Sequence, residues 1–98
     1  MQQLVCVELK PESVEELYRT QLHGGQVFSL LRVPTDERIF AGLFNGDLVS
    51  VDLSSGEVLS RIILGSDVFS LIHGKGERIL AGLANGDFLM IFLAQVDA

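Results

Sequence analysis

The sequence predicts an all-β chain assembled from four-stranded antiparallel units, and three observations carry that expectation. A block of about 40 residues occurs twice, each copy holds short runs of alternating apolar residues, and each places an Asn-Gly pair between two such runs. With 48% hydrophobic and 20% charged residues in a chain of 98, the composition is that of a folded domain and not of a disordered one.

The repeat is direct. Val27-Phe28-Ser29-Leu30 returns as Val68-Phe69-Ser70-Leu71, Glu37-Arg38-Ile39 as Glu77-Arg78-Ile79, Ala41-Gly42-Leu43 as Ala81-Gly82-Leu83, and Asn45-Gly46-Asp47 as Asn85-Gly86-Asp87. The spacing is 41 residues before Pro34 and 40 after it, which puts a one-residue deletion in a loop, where length changes are tolerated. Near the N-terminus, Leu4 to Leu9 matches Leu48 to Leu53. Leu17, Leu22 and Gly24 match Val58, Ile63 and Gly65 once three extra residues around Pro11 to Val14 are allowed. Residues 1–26 therefore read as the second half of a unit, 27–67 as a complete unit, and 68–98 as the first three strands of another.

Taken in order, Leu4 to Leu9 alternates as a third strand. From Pro11 to Thr20 two readings compete. Pro11 at a first helical position, the acids Glu12, Glu15 and Glu16, and Val14, Leu17 and Tyr18 at helical spacing fit a short helix. The repeat instead makes Glu16 to Leu22 a fourth strand, and that reading is preferred. The complete unit then supplies strands over Val27 to Val33, Arg38 to Leu43, Asp47 to Leu53 and Glu57 to Leu64. Asn45-Gly46 predicts a type I′ hairpin, which wants positive φ at both central positions, and Ser54-Ser55-Gly56 makes the next turn.

The run from Ile39 to Glu57, with Asn45-Gly46-Asp47-Leu48, Val51-Asp52 and Ser55-Gly56-Glu57, resembles a WD-repeat blade, whose third strand ends in Trp-Asp before a turn and a Gly. It is also similar to the quinoprotein-like propeller repeat. The resemblance implies four-stranded antiparallel propeller blades, about two and a quarter of them, open unless completed by other chains. Where the WD pattern has Trp-Asp, this chain has Val51-Asp52, Val7-Glu8 and Ile91-Phe92, and it contains no Trp. The family's His is matched by His23 but replaced by Leu64 in the next unit, its turn Asp by Asn45 and Asn85, and its strand hydroxyl by Ala41 and Ala81. The hydrogen-bonded tetrad of WD blades is therefore not expected, and aliphatic packing should brace the blades instead. Because propellers close with 4 to 8 blades, the chain is expected to be a fragment of a larger ring, or to be completed by other copies or by another chain.

A formal charge of −6 repels a phosphate backbone and an anionic membrane surface, so neither nucleic acid nor membrane is an expected partner. Met1-Gln2-Gln3 lacks the start of a secretory signal, and the apolar run Phe88 to Ala94 is about a third of the roughly 20 residues a spanning helix needs. The single cysteine, Cys6, forms no internal disulfide, and the cytoplasm or another reducing intracellular compartment is expected.

No residue pattern calls for catalysis. Cys6 sits in an alternating apolar strand and reads as a small buried hydrophobe. His23 and His73 lack metal-ligand spacing, and the glycine pairs around residues 24 and 75 lack the run into a helix that phosphate cradles need. Asp47, Asp52 and Asp87 flank hairpins, where Asp serves the backbone. The expectation is a non-catalytic scaffold without cofactor or metal, binding protein partners through exposed turn residues Phe44, Asn45, Asp47, Asn85 and Asp87. Two alternatives stand beside it. Part of a quinoprotein-like propeller enzyme would need charged ligands converging at the channel, and a small self-assembling lectin-like propeller would use aromatics such as Trp between blades.

Overall fold

The computed structural model describes residues 2–93, so Met1, the end of the apolar run at Ala94, and the remainder of the third unit, 94–98, lie outside the described residues. Nine strands form three antiparallel sheets. Strands β1 (Gln2–Leu9) and β2 (Val14–Leu22) make a hairpin. Strands β3 (Val27–Arg32), β4 (Arg38–Leu43), β5 (Asp47–Asp52) and β6 (Val58–Ile63) make a four-stranded meander, the middle blade. Strands β7 (Val68–His73), β8 (Arg78–Leu83) and β9 (Phe88–Phe92) make the third blade. The segment 11–20 is strand and turn, in line with the repeat and against the helical spacing, because β2 pairs along its whole length with β1.

Strand alternation gives the middle blade two apolar faces, and each is covered. Phe40 and Leu48 face the third blade and pack with Val68, Leu71, Ile79 and Ala81, all buried. Ala41, Leu43, Val49 and Val51 face the other way, against Leu22 and Leu4 of the hairpin. Burial of each large aliphatic or aromatic side chain here is worth about 1.5–3 kcal/mol. Aliphatic packing between sheets is thus the main cohesion, yet polar bonds also tie the hairpin on. Tyr18 Oη donates to the Leu53 carbonyl at 2.7 Å and Thr20 Oγ1 donates to the Gly56 carbonyl at 2.5 Å. Gly56, at φ +78°, lies under these two side chains, with no room for a Cβ beside the Tyr18 ring.

Ladder register corrects the sequence alignment of β2. Cys6 pairs with Tyr18 as Ser50 pairs with Ser60, and Val5 pairs with Arg19 as Val49 pairs with Arg61. Both ladders then skip one residue, Leu17 in one and Leu59 in the other. Leu17 and Leu22 therefore correspond to Leu59 and Leu64, not to Val58 and Ile63. Burial agrees: Leu22 is 1% exposed, whereas Ile63 is 78% exposed. A one-residue slip turns every side chain to the opposite face, so the apolar contacts of Leu22 decide the matter.

The hairpin turn also differs from expectation. Only glycines have positive φ among the described residues, so Asn45-Gly46 is not a type I′ turn. Gly46 N donates to the Leu43 carbonyl, making Phe44 and Asn45 the turn's central residues, with Gly46 following at φ +93°. A three-residue connection of this kind needs one left-handed residue, and glycine supplies it without steric cost. Gly86, at φ +96°, repeats the arrangement.

Candidate functional site

Four connections meet at one end of the sheets: residues 23–26, 44–46, 64–67 and 84–86. They are laced by backbone hydrogen bonds from Phe44 N to the Gln26 carbonyl, Leu64 N to the Gly46 carbonyl and Ala84 N to the Asp67 carbonyl. Asn85 N adds a bond to Ser66 Oγ.

Of the five residues expected on this surface, four are exposed there. Phe44, Asn45, Asn85 and Asp87 stand out to solvent, whereas Asp47 is buried. The reason is electrostatic and local. Asp47 Oδ2 accepts from Arg61 Nη1 at 2.5 Å and from Asn45 Nδ2 at 3.2 Å, while Asp47 N donates to Asn45 Oδ1 at 3.0 Å. The Asn45 amide is thereby spent on its own turn, and Asp47 is a brace. Asn85 and Asp87 repeat the inner pair, at 3.2 and 2.9 Å.

The residues that sequence reasoning missed are Phe28 and Phe69. Each occupies the bulge of an inner strand, where the ladder jumps from Val27 to Ser29 and from Val68 to Ser70. A bulge re-aims the unpaired side chain, and here both rings emerge at the Asn-Gly end. Phe28 meets Phe44 edge-on with centroids 4.6 Å apart and Phe69 at 5.1 Å, and Phe44 lies 6.2 Å from Phe69. The three rings remain 46%, 42% and 52% exposed. A signal was present in the sequence, since Phe28 and Phe69 occupy the same repeat position, but their convergence with Phe44 depends on the packing of β7 against β3.

Elsewhere several polar side chains are paired within their own turns. At the opposite end a cleft of about 390 Å³ is lined by Thr35, Asp36, Glu37, Arg38, Asp52 and Glu77 among others. Asp36 is bound twice by the Arg38 guanidinium, each bond at 2.7 Å, and its carboxyl is held below the usual range chiefly by that contact, against the opposing effect of burial. Asp52 Oδ2 accepts from Ser55 N and Oγ, which lowers its pKa in the same sense. Cys6 is only partly buried and lies opposite Tyr18. His73 Nε2 is 2.7 Å from the Gly76 carbonyl, a turn contact. Among the described residues no three His, Cys, Asp or Glu side chains are grouped as metal ligands.

No family model matches the chain, and no curated protein matches it in sequence. Solved structures do. BamB from Moraxella catarrhalis superposes with a TM-score of 0.68 at 8% identity, over 94% of this chain and 34% of that one. The fold is that of a partial β-propeller. The computationally designed Ika4 protein superposes with a TM-score of 0.63 at 18% identity, over 92% of this chain and 66% of the designed one. This propeller segment thus spans about a third of BamB and just under two thirds of the designed chain. At these identities the likeness concerns fold, and function has to be argued from the site.

Proposed function

We propose that this propeller segment is a non-catalytic interaction module that grips a partner protein through the Phe28, Phe44 and Phe69 patch. The observation that carries the reading is the convergence of three half-exposed aromatic rings from two blades on one end. Aromatic side chains bury large contact areas, and Phe is among the residues enriched at protein interfaces. Asn45, Asn85 and Asp87 form a polar rim that would orient an apolar anchor seated on the rings. The finer family assignment, WD-repeat-like before quinoprotein-like, belongs to this proposal. So does a reducing intracellular compartment, which the lone Cys6 supports.

Selection of displayed peptides on the full chain tests it. Binders with an aliphatic or aromatic anchor are expected, and Phe44→Ser or Phe69→Ser should weaken them at least tenfold while leaving the far-UV circular dichroism unchanged. Binders indifferent to all three phenylalanines would refute the assignment of the surface.

A further inference from the structure

We propose that the partner segment seated on the phenylalanine patch is basic, with a lysine or arginine next to its apolar anchor that lies against Phe69 and places its charge at Asp67. The inference rests on the reading of that patch as a binding surface and names the chemistry the surface selects.

The two units build this end of the molecule with the same backbone and different side chains. Phe44 N donates to the Gln26 carbonyl at 2.8 Å and Ala84 N to the Asp67 carbonyl at 2.9 Å, so Ala84 stands where the middle blade has Phe44, and Asp67 where it has Gln26. In the middle blade the place against Phe28 is filled by Phe44, edge-on with centroids 4.6 Å apart. In the third blade the equivalent place against Phe69 is left to the methyl group of Ala84, and the Phe69 ring is 52% exposed. One aromatic seat is therefore filled from within the chain, and the other is open to a side chain from outside.

The open seat has a charged wall. Asp67 and Phe69 flank Val68, whose side chain is wholly buried, so carboxylate and ring both lie on the side away from it. The connection that carries Asp67 is held by bonds from Leu64 N to the Gly46 carbonyl, from Ala84 N to Asp67 itself and from Asn85 N to Ser66 Oγ. Asp67 is thus ordered before a partner arrives, which spares part of the cost of binding. Among the described residues no lysine or arginine pairs with it, and Arg61, on the preceding strand, is engaged by Asp47. The formal charge of −6 on the whole chain attracts a basic segment at longer range.

Ring geometry sets the kind of cation. The three rings touch one another, with centroids 4.6, 5.1 and 6.2 Å apart, so they enclose no cage for a compact quaternary ammonium. A cation has to lie on an outer ring face, which suits a lysine or arginine whose stem covers apolar surface while its head reaches an acid.

Random peptides displayed on phage and selected on the full chain are expected to carry a basic residue close to the apolar anchor. The tightest of them, resynthesised with a fluorescein label and read by anisotropy, is the probe. Asp67→Gln, which installs the residue of the equivalent position, should weaken binding about fivefold, and so should glutamine in place of the peptide's basic residue. The two changes together should cost no more than either alone. Ala84→Phe, which fills the open seat, should also weaken binding, and circular dichroism verifies that both variant chains keep their fold. Binders that need the rings but carry no basic residue, or whose affinity is indifferent to Asp67→Gln, overturn the inference and leave the assignment of the surface standing. Binders indifferent to all three phenylalanines overturn both.

Discussion

Arg61 and Asp47 meet at 2.5 Å, joining the fourth strand of the middle blade to the first residue of its third strand. The contact does work that an exposed ion pair would not, because the Asp47 carboxylate is buried and its other partner is a neutral amide. Arg61→Gln leaves that carboxylate without its cation. A loss of about 1–2 kcal/mol is expected, within the range for unpairing a partly buried group, as measured by urea unfolding. Asp87→Asn, at the exposed repeat position, should change stability by less than about 0.5 kcal/mol.

Gly42 lies where Val68 of the third blade packs tightly against the middle blade. A Cβ there would lie 2.5 Å from Val68 Cγ1 and 2.5 Å from Ser29 Oγ, whereas at Gly82 its single close neighbour is Ser70 Oγ at 2.7 Å. Gly42→Ala is therefore expected to cost about 1–3 kcal/mol through overpacking, with Val68 unable to retreat from a filled core. Gly82→Ala should cost clearly less, since a hydroxyl can rotate away. Thermal unfolding of the two variants side by side checks the order.

Tyr18 should make the docking of the hairpin sensitive to alkali. Burial first, and then the neighbouring Cys6 thiol, raise its pKa above the ordinary phenol value. A group whose pKa is raised by folding contributes stability that is complete below its unfolded pKa and lost as pH climbs through the folded one. The contribution is accordingly intact at neutral pH and fades above about pH 10. Tyr18→Phe should lower stability by about 1 kcal/mol at pH 8. The gap to the wild type should narrow on going to pH 11, measured by denaturant unfolding at each pH.

Asp36 acts at the other end of the scale. Its carboxyl is held low by Arg38, so its contribution is present above the unfolded value, near pH 4, and is lost as pH falls through the lower folded value. Between pH 4 and pH 2 the wild type should lose more stability than Asp36→Asn. Parallel acid titrations followed by circular dichroism would show the two curves converging.

Sequence alone determined the strands and their antiparallel order within repeated units. These follow from local alternation and from a repeat that recurs nearly residue for residue, so Leu48, Val49 and Val51 declare their strand without reference to the rest of the chain. The candidate surface was legible in part: Phe44, Asn45, Asn85 and Asp87 are exposed turn residues because Asn-Gly marks a hairpin wherever it stands. Tertiary structure decided the remainder. The register of β2 turned on where Leu22 could be buried, since a slip of one residue is invisible to composition but reverses every face. Asp47 left the surface because Arg61, fourteen residues on, folds back across the sheet to meet it. Phe28 and Phe69 became a patch with Phe44 only when two bulges and the packing of β7 on β3 brought them within ring contact. Local periodicity encodes what each strand presents, whereas contacts between blades select which of those side chains are covered and which stay exposed.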